Sequence, residues 1–181
     1  MRVVPNDIPV IETERLRLRG HTLEDFPGGA AMWAEPIVYQ FISGSASTEQ
    51  QSWMRLLSYR GHWALMGFGY WAIEERATGR FIGELGFADF KRDLDPSIRG
   101  IPEIGWALAP DAHGKGYASE SIRAALQWSD SDLAHNRTVC IIQPENLPSL
   151  RLAEKFGFCL LRQLSYRGTD ICLVARERAR P

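Results

Sequence analysis

The chain is poor in cysteine, has no long apolar run and carries no excess of either charge. Its three cysteines, Cys140, Cys159 and Cys172, are an odd number, too widely spaced for a zinc ribbon, and all read as reduced core residues. No metal site is expected. No apolar stretch approaches the roughly 20 residues of a membrane span, and Met1–Pro9 lacks the apolar stretch of a signal peptide, so a cytoplasmic location without membrane contact is expected. Lys and Arg number 21 against 22 Asp and Glu, a net charge of -1. That balance provides no field for polyanions and argues against direct nucleic-acid binding. There is no fixed-period repeat and no low-complexity tract. What is present is an ordinary globular composition, 45% hydrophobic and 24% charged over 181 residues. A chain of this length buries roughly 70% of its unfolded surface, so one domain over 1–181 is expected. The polar stretch Lys91–Gly100 reads as a surface loop within it.

Ile11–Arg19 alternates in period 2, as a strand with one buried face does. Thr22 and Asp25 resemble a helix start, and Pro27-Gly28-Gly29 predicts a broken helix reaching about Ala34. Ser47 and Gln50 form a capping-box pattern before a longer helix containing Trp53, Leu56, Leu57 and Arg60. Tyr70–Glu75 and Arg80–Phe90 are strands joined by a loop of hairpin length and should pair antiparallel. In the next strand, Pro102–Ala109, the residues Ile104, Trp106 and Leu108 share one face, and Glu103, Gly105 and Ala107 the other. A helix follows the glycine-rich turn after Pro110, with Ala118, Ile122, Ala125 and Leu126 at helical spacing. Thr138–Gln143 is a short strand, Asn146–Phe156 a helix ending at Gly157, and Phe158–Tyr166 with Asp170–Ala175 a closing strand pair. The strand–helix–strand unit makes part of the sheet parallel. The fold class is mixed α/β, in one domain.

The most informative segment is His113-Gly114-Lys115-Gly116-Tyr117-Ala118-Ser119-Glu120, between a strand and an amphipathic helix. A helix start leaves N–H groups unpaired and partially positive, and glycines let a phosphate approach the main chain. The expected ligand is therefore a phosphate or pyrophosphate, with Lys115 adding charge and Ser119 a hydroxyl donor. A Walker loop would need Gly-Lys-Ser/Thr, and here Lys115 precedes Gly116-Tyr117. A dinucleotide turn would need a third glycine where Ser119 stands. A plain strand-to-helix turn that binds nothing is the remaining alternative.

These residues resemble the GCN5-related N-acetyltransferase (GNAT) superfamily, whose acyl-CoA signature is Gln/Arg-x-x-Gly-x-Gly/Ala. The Gly-Lys-Gly-Tyr-Ala form, preceded by Glu103-Ile104-Gly105-Trp106-Ala107-Leu108, most resembles the branch of ribosomal-protein N-terminal acetyltransferases of the RimJ/RimL type. Asn146-Leu147-Pro148-Ser149 and Glu154-Lys155-Phe156-Gly157-Phe158 resemble a second block of that branch, and Thr13–Arg19 its first strand. The resemblance implies a mixed, mostly antiparallel sheet with helices on both faces and splayed fourth and fifth strands, admitting the pantetheine arm of acetyl-CoA. Main-chain groups around Trp106, Ala107 and Leu108 would then bond pantetheine amides. His113, Gly114, Lys115, Gly116, Tyr117, Ala118 and Ser119 would hold the pyrophosphate. Asn146 would contribute its amide from the opposite lip, or serve as a helix cap.

Two departures stand out. His113 replaces the signature's Gln or Arg, and Ala153 stands where many members have a Tyr that protonates the departing thiolate. Ser149 is the candidate acid instead, by analogy with the branch's Asn-x-x-Ser block, and otherwise a capping serine. Direct attack on a thioester needs a neutral amine, while amines are largely protonated at or below a pKa of roughly 8 to 10.4. Glu103, on the small-residue face of its strand, is the preferred base and Glu84 the reserve; each could instead only orient substrate. Trp33, Trp53, Trp63 and Trp71 with Tyr59 and Tyr70 belong mainly to the core, with an acceptor groove as the other use. The expected activity is acetyl-CoA-dependent N-acetyl transfer in a ternary complex, to the primary amine of a small molecule or peptide N-terminus. The alternatives are an acyl-CoA-binding module without turnover and a structural dimer module. The acceptor and any homodimer are not readable from the residues.

Overall fold

Pairing of period-2 segments builds the centre of the molecule, described by a computed structural model over residues 8–178. The expectation that Met1–Pro9 is not a signal peptide falls on residues outside this range except at its last two positions. Ile11–Arg19 is not one strand: β1 (Ile11–Glu12) turns back on β2 (Leu16–Arg19), with Ile11 opposite Leu18. Then β3 (Tyr70–Glu75) and β4 (Arg80–Ala88) form the expected hairpin. β5 (Glu103–Leu108) pairs antiparallel with β4, whereas β6 (Arg137–Ile142) runs parallel to β5. β7 (Cys159–Tyr166) and β8 (Thr169–Glu177) close an eight-stranded sheet in the order β1-β2-β3-β4-β5-β6-β8-β7.

Among the described residues, five α-helices pack on this sheet. α1 (Phe26–Ala34) runs unbroken through Pro27-Gly28-Gly29 because Pro27 falls in the first turn, where a missing N–H costs no helical bond. α2 (Pro36–Tyr39) follows at once. The capping box of α3 (Glu49–Met66) lies one residue later than expected: Gln51 N donates to Thr48 Oγ1 and Thr48 N to Gln51 Oε1. α4 (Tyr117–Asp132) and α5 (Leu147–Lys155) fall where the periodicity puts them.

The two sheet faces differ in chemistry. One is a continuous apolar layer in which Leu16, Leu18, Ile73, Leu85, Ile104 and Leu108 meet Ile122 and Ala125 of α4 and Ala153 of α5. Trp63, Trp71 and Trp128 cluster there, with ring centroids 4.8–5.5 Å apart. The other face holds Glu84, Glu103 and small residues. Ala107 packs on Met32 and Trp33 of α1, and Ala88 on Tyr59 and Tyr70. Helices thus cover both faces, and the polar one retains a cleft. The stretch Lys91–Gly100 is not simply a surface loop: Ile98 is buried, Gly100 N donates to Asp89, and Arg92 reaches back to Glu103. Cys140 and Cys172 are buried as expected, but Cys159 is exposed at the start of the edge strand β7.

Candidate active site

The alternation of main-chain hydrogen bonds along β5 decides which groups are available to a ligand. Ala109 N donates to Ile82 O at 2.9 Å, so the antiparallel ladder turns the amides of Glu103, Gly105 and Ala107 toward β4. Those of Ile104, Trp106 and Leu108 turn the other way, toward β6. There the parallel pairing comprises one register, Glu103 with Val139. Beyond it the strands, fourth and fifth when the β1–β2 segment counts as one, part from each other. Trp106 and the Leu108 N–H therefore face an open edge. Two expectations need correction: Ala107 lends its main chain to Glu84 across the ladder, and the Leu108 carbonyl accepts from His113 Nε2 at 2.8 Å. His113 thus buttresses the turn instead of projecting from it.

The turn itself has the geometry an anion needs. Gly114 and Gly116 adopt φ of +73° and +79°, in the left-handed region that disfavours a side chain. Glu120 N makes the first helical bond, to Gly116 O, so the N–H groups of Tyr117, Ala118 and Ser119 lie ahead of it at the positive end of the helix dipole. The turn is braced from outside. Arg15 donates to Lys115 O at 2.9 Å and pairs with Glu120, while Tyr117 Oη donates to Glu75 at 2.7 Å. Lys155 Nζ donates to Ser119 Oγ at 2.7 Å, which adds a cation that the local sequence pattern did not single out, because 36 residues separate the two.

Across the β5–β6 gap, Asn146 caps α5: its Oδ1 accepts from Ser149 N at 3.3 Å. The cap leaves its NH₂ group free to bond elsewhere. Asn146 and Ser149 line a cleft of about 780 Å³ that also takes in Glu103, Trp106, Glu84, Tyr59, Tyr70 and Cys140. Of the expected site residues, Glu103, Trp106, Ala107, Asn146 and Ser149 thus line this one cleft, whereas Leu108 and His113–Ser119 are not part of its wall.

The two carboxylates have different surroundings. Glu103 is 5% exposed and held in a fork by Arg92, whose Nε and Nη2 donate to its two oxygens at 2.7 and 2.9 Å. Both of its oxygens are thus engaged by one guanidinium. Glu84 is 3% exposed and has no ion-pair partner among the described residues. Trp33 Nε1, at 2.9 Å, and Tyr59 Oη donate to its Oε1. Burial raises its pKa above the ordinary glutamate value, opposed by the Tyr59 hydrogen bond and the nearby Arg55 charge. Burial likewise keeps Tyr59 and Tyr70 protonated and the Cys140 thiol neutral.

Of the aromatic set, Trp63 and Trp71 are core, Trp53 packs edge-on against Phe26, and Trp33, Tyr59 and Tyr70 line the cleft. Tyr59 and Tyr70 stack at 4.5 Å. The Tyr70 hydroxyl lies where a side chain at residue 105 would begin, 2.2 Å from an ideal Cβ. Gly105 is thereby explained by close approach: it lets a phenol rest on the strand edged by the gap.

An open edge on β5, a glycine turn at a helix start and a cleft on the polar face are the features that the resemblance to the GNAT superfamily leads one to expect. The chain belongs to the GNAT family: the acetyltransferase (GNAT) domain matches residues 15–159. The N-acetyltransferase p20 of Bacillus licheniformis is 29% identical over 147 residues, 81% of this chain and 80% of that one. A GNAT-family acetyltransferase from Bordetella pertussis superposes with a TM-score of 0.83 at 31% identity, covering 93% of this chain and 99% of the other. The ribosomal L7/L12 acetyltransferase RimL, solved with coenzyme A, shares the fold at a TM-score of 0.74 and 17% identity, covering 93% and 98%.

Proposed function

We propose that this protein transfers an acetyl group from acetyl-CoA to a primary amine, on a small molecule or a peptide N-terminus, by direct attack within a ternary complex. The observation that carries the reading is the open β5 edge, left by the single β5–β6 register: it leads along the chain from the cleft residues Glu103 and Trp106 to the glycine turn at the start of α4, and the same cleft takes in the buried Glu84. Acetyl-CoA supplies a thioester whose carbonyl accepts the amine. The N–H groups of Tyr117, Ala118 and Ser119, with Lys115 and Lys155 nearby, hold the pyrophosphate. Trp106 and the Leu108 N–H extend the sheet along the pantetheine arm, and Asn146 binds it from α5.

Glu84 is the general base, in place of Glu103. Its raised pKa brings proton affinity closer to that of an ammonium, and nothing cationic is bonded to it. Glu103 positions Arg92 and closes the narrow end of the gap. Ser149, at the first turn of α5 and on the cleft wall, donates a hydrogen bond to the departing thiolate. Cys140 takes no covalent part, because burial keeps its thiol neutral and no histidine is hydrogen-bonded to it among the described residues. Continuous thiol release from acetyl-CoA across a panel of amines tests the reading. Acceptor-dependent release supports it, and CoA binding without release from any amine identifies a binding module instead.

A further inference from the structure

We propose that the acceptor carries an anionic group a few bonds from its reacting amine, and that Arg55 binds it. The inference deepens the acetyl-transfer reading and rests on it. Five charged residues line the cleft: Glu84, Glu103, Arg55, Arg92 and Arg167. Arg92 and Glu103 neutralise each other in their fork. Glu84 is buried on hydrogen-bond donors and disfavours its own charge. The two arginines left over have no carboxylate within ion-pair distance among the described residues. The cleft is therefore cationic in balance although the chain as a whole is not.

Arg55 is held in a way that points to a ligand. Its guanidinium lies 3.9 Å from the centroid of the Trp33 ring, and Nη1 donates to Ser47 Oγ at 3.2 Å. Both contacts fix the planar fork without neutralising it, and its remaining N–H donors have no side-chain partner among the described residues. A half-buried guanidinium with no carboxylate bonded to it is costly, and a carboxylate that engages it in two parallel bonds offsets that cost. The same Trp33 ring donates through Nε1 to Glu84 at 2.9 Å. Cation and base thus flank one indole, a spacing suited to an amine and an acid within one small group. Arg167 also lines the cleft, exposed on the β7–β8 turn with its guanidinium over Tyr166. Phe41, Ile42 and Phe90 add apolar surface to the same cleft. Polyamines and aminoglycosides, whose extra charges are positive, meet repulsion in this cleft.

The shared chemistry, an amine beside an anion, is found in free amino acids and in peptides with an acidic second residue. Calorimetry with the CoA-bound protein distinguishes these sources through two matched pairs: methionine against methioninamide, and Ala-Asp-Ala-amide against Ala-Asn-Ala-amide. Spermidine is the cationic contrast. The acidic member of at least one pair should bind about tenfold or more tightly than its neutral partner, and spermidine more weakly than either. Arg55→Gln should erase that ratio, while Arg55→Lys, which keeps the charge and loses the fork, should retain part of it. Circular dichroism checks that both variants are folded. Equal affinity within both pairs, or a ratio that survives Arg55→Gln, overturns the inference. Thiol release is read separately: absence of transfer to every amine refutes the acetyl-transfer reading, whereas the acid preference is decided by binding alone.

Discussion

Replacing Glu84 by Gln removes one proton site while leaving its surroundings nearly intact. Trp33 Nε1 and Tyr59 Oη both donate to Oε1, and an amide oxygen accepts the same two bonds in almost the same volume. What is lost is the capacity to take a proton from the incoming ammonium. General-base catalysis contributes about 10²–10⁴ in rate, so kcat should fall by that factor, about 3–5 kcal/mol of barrier. CoA affinity should be unchanged, since the contacts proposed for the carrier lie on the turn, β5 and α5. The pH dependence has a definite sign. Burial raises the Glu84 pKa, and only the ionised form is a base, so wild-type turnover declines as pH falls through that raised value. Glu84→Gln should lack this acid limb, and Glu103→Gln should keep it. Stability moves the opposite way. The folded state holds the Glu84 proton more tightly than the unfolded chain, so stability is lost as pH rises from the unfolded pKa through the folded one. Above that window the buried charge is a constant cost, which Gln lacks. Glu84→Gln should therefore melt at or above the wild-type temperature at neutral pH, with the advantage vanishing in acid. A variant that keeps the wild-type acid limb and kcat within twofold, or that melts lower at neutral pH, refutes the assignment.

Gly116→Glu should abolish measurable CoA binding in a titration, because it places negative charge at the anion turn; Gly116→Ala, which adds only left-handed backbone strain of about 1–2 kcal/mol, should lower the melting temperature and weaken binding far less. Equal effects of the two would show that charge is irrelevant there. Ser149→Ala should slow single-turnover transfer about tenfold if its hydroxyl assists the thiolate, and an unchanged rate in quenched flow would remove that role. Arg92→Ala leaves the Glu103 carboxylate buried and unpaired, and denaturant titration should show a loss of about 3–5 kcal/mol. The double variant with Glu103→Gln should recover much of it.

Local pattern announced the strand, turn and helix on which the proposed anion site is built. Gly114 and Gly116 must adopt a conformation that ordinary residues avoid, and helical spacing from Ala118 onward marks the start of α4. The preference between two carboxylates was not readable in the same way. Glu84 owes its burial to Trp33 and Tyr59, which reach it from 51 and 25 residues away, and Glu103 is occupied by a residue of the adjoining loop. Such contacts exist only once α1, α3 and the sheet are assembled. The fork on Arg55 and the Lys155 contact at Ser119 are hidden for the same reason. At Ile11–Arg19 the period-2 signal was real but blind to the reversal at residues 13–15, since alternation persists through a tight turn between two strands.

The single rung joining Glu103 to Val139 has a mechanical consequence. Five strands stand on one side of it and three on the other, so the slab has a built-in seam that can be pried open with little loss of hydrogen bonding. Any molecule lying in that seam and bonding to both banks mends it, and its occupancy then adds to the resistance of the whole slab to unfolding. Amide exchange along β5 and β6 should consequently slow more sharply on filling the seam than exchange in the β3–β4 hairpin, whose strands are already paired from Tyr70–Gly86 to Glu75–Arg80 with one bulge.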